Sequence, residues 1–156
     1  MSERSKVIDA LNGLITTEMC AINQYYVHAK ICDSRGLERV AHKLRESSME
    51  EMRDVETLMD RVLLLGGLPN LQRLDPFQVG ETVVEMFELH AGLERGAVNQ
   101  LKTSIVTCDE DGDVGSGQLL RSMVANEEAQ LDWLTTQLEL IEQLGEGNYL
   151  AQQLYE

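Results

Sequence analysis

The segment VAHKLRESSMEEMRDVETLMDRVLLL, residues 40–65, decides the fold of this chain. Its apolar side chains recur every three or four residues, which is the period of an amphipathic helix, and it contains neither proline nor glycine. The stripe consists of Val40, Leu44, Ser47/Ser48, Glu51, Val55, Leu58, Val62 and Leu65. A carboxylate inside a core stripe is costly unless another group pairs with it or neutralises it. Glu51 therefore needs an explanation from the rest of the chain.

Three other segments have the same period, and each carries one glutamate in its stripe: Glu18, Glu94 and Glu127. Glu18 and Glu51 are separated by the same number of positions as Glu94 and Glu127, which suggests an approximate two-fold relation between the two halves. One inward carboxylate on each of four helices predicts a shared metal site, because a cation offsets the charge that burial makes costly.

The stripes predict four long helices and a short fifth one. They run from about Lys6 to Asp33, from about Val40 to Leu65, from near Glu81 to near Asp109, and from about Leu120 to Gly145, with the fifth from Asn148 to Tyr155. Short turns join the first helix to the second and the third to the fourth, so each pair is expected to be an antiparallel hairpin.

The connection between the two hairpins, Gly66 to Gly80, is long enough to set the topology. About 15 extended residues span roughly 50 Å, whereas a helix of about 27 residues is only about 40 Å long. The connection can therefore run the whole length of the bundle. This predicts an all-α, ferritin-like four-helix bundle with one long crossover, forming a single domain over residues 1–156.

Composition narrows the class of partner. The formal net charge of −14 disfavours nucleic acid and anionic membrane surfaces, since both need a basic footprint. No apolar run reaches the length of a membrane span, and the N-terminus leads into no signal-peptide core, so a cytoplasmic location is expected.

The three cysteines, Cys20, Cys32 and Cys108, are odd in number and have no C-x-x-C spacing, which predicts buried free thiols.

The predicted metal site departs from the pattern of di-metal bundles. In such bundles two helices each give one Glu and the other two each give a Glu-x-x-His, whereas this chain has Glu51-x-x-Asp54 and Glu127-x-x-Gln130. An all-oxygen ligand set favours hard ions such as Mg²⁺, Ca²⁺ or Mn²⁺ over Fe(II). We therefore expect a weak site with poor Fe(II)/O₂ chemistry. The alternative is that Arg53, Arg95 or Arg121 neutralises the glutamates.

The three histidines, His28, His42 and His90, lie away from these ligand positions. His28 follows Glu18 by nearly three helical turns and is expected on the outer side of its helix. His90 precedes Glu94 by one turn, so an approach to one end of the metal site is an open alternative to a surface or core position.

The chain resembles bacterioferritin over essentially its whole length. The resemblance includes Ala21-Ile22-Asn23-Gln24-Tyr25-Tyr26, Glu50-Glu51-Met52, Leu68-Pro69-Asn70-Leu71-Gln72, Asp132-Trp133-Leu134 and Asn148-Tyr149-Leu150. It implies dimers that assemble into a hollow 24-subunit cage with a ferric mineral core. It also implies b-type haem between paired subunits and an electron-donor protein, ferredoxin-like, that serves iron release.

The same resemblance implies roles for single residues. Met52 matches the methionine that holds the haem iron from each partner of a two-fold dimer, and Tyr25 matches a tyrosine that can give an electron during oxygen reduction. The four glutamates fall on the ferroxidase ligands, whereas Asp54 and Gln130 fall on the two histidine ligands. Some bacterioferritins combine two subunit types, one binding haem without a working ferroxidase site, and this chain resembles that type.

Three functions follow as hypotheses. The first is an iron-storage subunit that binds haem, has an impaired di-iron site and co-assembles with a ferroxidase-competent subunit. The second is an active ferroxidase that oxidises Fe(II) to Fe(III) with an all-oxygen ligand set. The third is a structural helical bundle with no iron role.

Overall fold

The computed structural model describes residues 2–155, and these form five helices. They are α1 (Glu3–Ser34), α2 (Glu38–Leu64), α3 (Val83–Glu110), α4 (Val114–Leu144) and α5 (Glu146–Ala151). The all-helical prediction is confirmed. The short fifth helix differs from its predicted span, because it begins two residues earlier and ends at Ala151. None of the helices in residues 2–155 combines the length and apolar character needed to cross a lipid bilayer.

Local polar contacts explain where the helices begin and end. Gly36 has a φ of +80° and follows α1, and the next N–H, that of Leu37, donates to the carbonyl of Cys32, as in a Schellman end. Thr82 accepts a hydrogen bond from the N–H of Glu85 at the start of α3. Asp113 does the same for Ser116, so α4 begins at Val114, earlier than the apolar stripe alone predicts.

The helices pair as the connection lengths predict. Helix α1 packs mainly against α2, and α3 packs mainly against α4, while contacts between α1 and α3 join the two hairpins. The crossover between α2 and α3 is hydrogen-bonded to α1 near each end of the crossover. Asn12 bonds the carbonyl of Leu68 and the N–H of Asn70, and the N–H of Gly80 donates to His28.

The bundle interior has two apolar halves. One half contains Tyr25, Leu44, Phe87 and Leu134 among its buried residues, and the other contains Leu11, Leu58, Leu101 and Leu120.

A layer of buried polar side chains separates these halves, at the middle of each long helix. Its members are Glu18, Ser47, Ser48, Glu51, Glu94, Glu127 and Gln130. The apolar halves fix the four helices around this layer, and the layer contains the candidate site.

Candidate metal centre

Four carboxylates from three helices meet inside the bundle. One carboxylate oxygen from each of Glu18, Glu51, Asp54 and Glu127 lies within 4.8 Å of the other three. Two oxygens bound on opposite sides of one ion, at about 2.4 Å from it, are about 4.8 Å apart. The four oxygens are therefore close enough to share one cation. We call Glu18, Glu51, Asp54 and Glu127, together with Glu94 beside them, the carboxylate cluster.

Glu94 joins the cluster through its neighbours. The hydroxyl of Tyr25 donates a 2.7 Å hydrogen bond to Glu94 Oε1, and a hydrogen bond with Glu127 contributes to the raised pKa of Glu94. Glu94 is 1% exposed, so this carboxylate is removed from water as fully as the others. The structure thus brings all four predicted glutamates to one place, with Glu94 bonded to Tyr25.

Three buried oxygens of the cluster need a partner. Glu18 Oε2, Glu51 Oε2 and Glu94 Oε2 have no hydrogen-bond partner among the residues that the structure describes. A buried carboxylate oxygen without a donor is costly, and nearly all buried polar atoms in folded proteins are bonded. Glu18 and Glu51 belong to the four carboxylates that can share one ion, and a cation bound there would satisfy their unpartnered oxygens.

Burial and mutual repulsion shift the acidity of the cluster. Burial raises the pKa of Glu94 and Glu51 well above the usual range, and for Glu51 the charges of Glu94 and Asp54 add to the effect. Burial raises the pKa of Glu127 to about 8 and that of Asp54 to about 6. Without a cation, protons must therefore neutralise part of the cluster at neutral pH.

Gln130 supports the cluster through its amide nitrogen. Its Nε2 donates to the hydroxyl of Tyr25 at 3.2 Å and to Ser47 Oγ at 2.8 Å. The Tyr25 hydroxyl uses its only proton on Glu94, so it must accept from Gln130. Both hydrogen bonds of the amide nitrogen are therefore made to Tyr25 and Ser47. Of the two residues that replace the usual histidines, Asp54 contributes a carboxylate to the cluster.

The alternative of neutralisation by arginine finds no support in the described residues. Arg121 pairs with Asp109 at 2.8 Å, and the side chains of Arg53 and Arg95 are exposed on the surface. The arginine ion pairs seen among residues 2–155 join Arg61 to Asp113 and Arg121 to Asp109, and neither aspartate belongs to the cluster.

The prediction that His28 lies on the outer side of α1 is wrong. His28 and His90 are both fully buried, and His28 Nδ1 lies 2.8 Å from His90 Nε2. His90 also stacks on the ring of Tyr25, with centroids 3.9 Å apart and planes within 2° of parallel. His90 therefore contacts the Tyr25 end of the site with its ring face, and its ring nitrogens contact His28 and Gln24.

The sequence contained a signal for the position of His28. It lies three residues after Tyr25 and four before Cys32, and both of these belong to the buried side of α1. That spacing places the three side chains on one face of a helix. The spacing between Glu18 and His28 does not by itself show that His28 shares a face with Tyr25 and Cys32. Gln24 and Ser47 are also buried. No role could be predicted for them, because uncharged polar residues are mostly exposed in proteins and burying one is less costly than burying a carboxylate.

Met52 and the three cysteines, which were also singled out from the sequence, lie outside the carboxylate cluster. Met52 follows Glu51 on α2 and is partly buried against the apolar half that contains Leu58. The three cysteines are free and buried, as predicted.

A pocket of about 510 Å³ between α2 and α4 leads to the cluster. It is lined by Lys43, Glu50, Arg53, Asp54, Asn126, Glu127, Ala129 and Gln130. Because Asp54 and Glu127 belong both to this pocket and to the cluster, ions in solution can approach the cluster from this side.

Comparison with known proteins places the chain in a family. A model of the ferritin-like domain matches residues 8–144. The bacterioferritin of Mycobacterium tuberculosis is 45% identical over 146 residues, which cover 94% of this chain and 92% of the relative. The bacterioferritins of Streptomyces coelicolor and Brucella melitensis are 44% and 38% identical, covering 94% and 96% of this chain and 87% and 92% of the relatives. These matches span nearly all of both sequences, and the chain belongs to the bacterioferritin family of ferritin-like proteins.

Proposed function

We propose that this chain is an iron-storage subunit whose carboxylate cluster binds a divalent cation and oxidises Fe(II) poorly by itself. The three unpartnered buried oxygens of Glu18, Glu51 and Glu94 carry the first half of this proposal. No donor among the described residues bonds them, and a bound cation would supply the missing interaction. The protein's net charge of −14 also raises the local concentration of cations at its surface.

The ligand set supports the second half of the proposal. The four oxygens that meet within 4.8 Å are all from carboxylates, and the buried imidazoles of His28 and His90 are hydrogen-bonded to each other. Carboxylate oxygens suit hard ions, whereas imidazole suits Fe(II) chemistry. We therefore expect the cluster to bind Mn²⁺ or Fe(II) weakly and to turn Fe(II) over slowly.

Stopped-flow Fe(II) oxidation by the purified chain tests this proposal. The double variant Asp54→His/Gln130→His, which restores Glu-x-x-His on α2 and α4, should oxidise Fe(II) faster by roughly tenfold or more, equal to about 1.4 kcal/mol of barrier. The matched control is Asp60→His/Gln118→His, which makes the same two changes on the same helices at exposed positions. Equal rates in the wild type and in the restored variant would contradict the proposal.

The second candidate is an active ferroxidase that works with oxygen ligands alone. The observation in its favour is the Tyr25 hydroxyl bonded to Glu94 beside the cluster, because a buried phenol there can give an electron to an adjacent oxidant. The wild type would then oxidise two Fe(II) per chain rapidly, and Tyr25→Phe would lose this fast oxidation. That result would establish the second candidate instead.

Haem b binding at a two-fold subunit interface is also part of the proposal. Met52 is partly buried on α2, and its thioether is a suitable axial ligand, which tends to raise the potential of a haem iron. When bound, haem would supply electron transfer for iron release, fed by a ferredoxin-like donor. We also propose that this chain shares its cage with a second type of subunit that has a working ferroxidase site.

Paired substitutions on α2 test the haem assignment. Met52→Ala should abolish the Soret band of the reconstituted protein. Met49→Ala should leave the band unchanged, since Met49 lies one turn earlier and is 48% exposed. A Soret band retained in Met52→Ala, or lost equally in both variants, would remove Met52 as the ligand.

A further inference from the structure

A chain of buried side chains runs from the crossover to Tyr25. The N–H of Gly80 donates to His28 Nε2 at 2.9 Å, so this nitrogen carries no proton. A neutral His28 then has its proton on Nδ1 and donates it to His90 Nε2, 2.8 Å away. By the same reasoning the proton of His90 lies on Nδ1.

The amide of Gln24 completes this chain at its other end. The amide nitrogen of Gln24 lies 3.1 Å from His90 Nδ1. The two ends of an amide have nearly the same shape, so a half-turn places the oxygen there, where it accepts the proton of His90. Both ring nitrogens of His90 are then bonded, and the ring has one fixed orientation. Burial lowers the pKa of His28 to about 4 and that of His90 well below its usual range, so both rings remain neutral at pH 7.

The fixed ring of His90 is in contact with the tyrosine of the site. The two rings are stacked at 3.9 Å and nearly parallel, and the phenol hydroxyl donates to Glu94 at 2.7 Å. A displaced phenol would lose this hydrogen bond. It would also lose the one from Gln130.

We infer that His90, held by His28 and Gln24, is a positioning residue that keeps the Tyr25 hydroxyl on Glu94 and so sets the affinity of the carboxylate cluster for cations. The link to affinity rests on the proposed function, because Glu94 affects a cation only if the cluster binds one. The positioning of Tyr25 does not depend on it.

A spectroscopic measurement tests the positioning without any metal. The intensity ratio of the tyrosine Fermi doublet in the Raman spectrum reports whether a phenol donates or accepts its hydrogen bonds. The contribution of Tyr25 is the difference between each protein and its own Tyr25→Phe derivative. In the wild type this difference should show a strong donor. In His90→Leu and in His28→Phe it should shift towards a weak donor, although His28 reaches Tyr25 only through His90.

Binding of Mn²⁺ tests the consequence. His90→Leu should weaken Mn²⁺ binding about tenfold, which is the usual size when an outer partner of a metal ligand is removed. In a Tyr25→Phe background the same substitution should have no further effect, because its route to the cluster has already been removed. Leu11→Ala, a core truncation in the other apolar half, is the control for general destabilisation and should change neither measurement.

Each outcome decides the inference. An unchanged Raman difference in both histidine variants overturns it, as does an effect of His90→Leu that adds fully to that of Tyr25→Phe. If His90→Leu does not fold, His28→Phe decides by the same two criteria. Failure of the wild type to bind Mn²⁺ counts against the proposed function, and the Raman difference still confirms or refutes the positioning of Tyr25.

Discussion

Glu127 provides the most direct link between pH and metal binding. Its pKa is raised to about 8, and burial holds the pKa of Glu51 and Glu94 well above the usual range. Glu127 is therefore largely protonated at pH 7, and a cation must displace its proton. Binding of Mn²⁺ at pH 7 should therefore release about one proton or more per chain, and affinity should increase as the pH rises towards 8.

Calorimetry in buffers of different ionisation enthalpy measures this release. The observed binding enthalpy should vary linearly with the buffer's ionisation enthalpy. The slope is negative, because the buffer takes up the protons, and its magnitude is the number of protons released. Glu127→Gln, which cannot ionise, should reduce this magnitude. A slope of zero in the wild type would mean that the cluster is already ionised before metal binds.

His28 makes the stability of the fold depend on pH. Burial lowers its pKa to about 4, whereas in the unfolded chain His28 titrates near 6.5. Between these values the unfolded state binds more protons, so the free energy of unfolding falls as the pH falls. This loss is on the order of 2 kcal/mol for one ring.

A comparison with His28→Phe isolates the contribution of this ring. The variant should be less stable than the wild type at pH 7, because it loses both hydrogen bonds. The gap between their thermal midpoints should then narrow by about 5 °C between pH 7 and pH 4.5. The carboxylates titrate in both proteins and do not affect the gap. A constant gap would show that His28 is not held neutral by the fold.

Sequence reasoning found the acidic residues of the site and missed its imidazoles for a physical reason. A carboxylate within an apolar stripe stands out because burying a charge is costly, so Glu18 and its three counterparts could be recognised one helix at a time. A neutral histidine such as His90 is compatible with a core or a surface position. Its role depends on His28 of another helix, and the period of a single helix contains no information on that pairing.

At the scale of elements, the crossover between α2 and α3 depends on one backbone position. A Cβ added at Gly80 would lie 2.8 Å from the backbone nitrogen of Met86, closer than real contacts allow. Gly80→Ala should therefore shift the crossover and pull its N–H away from His28, with a loss of stability of about 1–3 kcal/mol. The thermal midpoint measures this loss, and hydrogen exchange at residue 80 locates it.

A glycine of α3 provides the matched control. A Cβ at Gly92 would meet nothing within 4 Å, and alanine has the higher helix propensity. Gly92→Ala should therefore raise stability by about 0.5–1 kcal/mol. If both variants are equally stable, the tight approach at Gly80 does not constrain the crossover.

The helix lengths and their order could be predicted from the sequence, whereas the path of the crossover could not. Hydrophobic period and turn residues such as Gly36 are local signals, and they gave four long helices and two hairpins. The anchoring of the crossover by Asn12 and His28 joins residues more than 50 positions apart. A polar side chain on a helix does not indicate in advance which distant backbone group it will bond.

At the scale of the whole molecule, the surface of the single subunit shows where further contacts are needed. Large apolar side chains are exposed at the end of α2 and along the crossover: Leu63, Leu64, Leu68, Leu71, Leu74, Phe77 and Val79. Leu68 is 82% exposed and Leu64 is 73% exposed. Contiguous exposed apolar surface marks interaction sites in soluble proteins, and bacterioferritins assemble into oligomeric cages. This segment is therefore expected to lie between subunits.

A charge placed on that surface should disrupt assembly without unfolding the subunit. Leu68→Arg puts a cation where an apolar contact is expected, and burying it unpaired would cost several kcal/mol at each interface. Sedimentation velocity should then show smaller species with an unchanged helical circular dichroism spectrum. Gln72→Arg adds the same charge at an exposed polar position of the same segment and should assemble normally. If Leu68→Arg assembles as well as Gln72→Arg, the crossover faces solvent in the oligomer and the subunit contacts lie elsewhere on the helices.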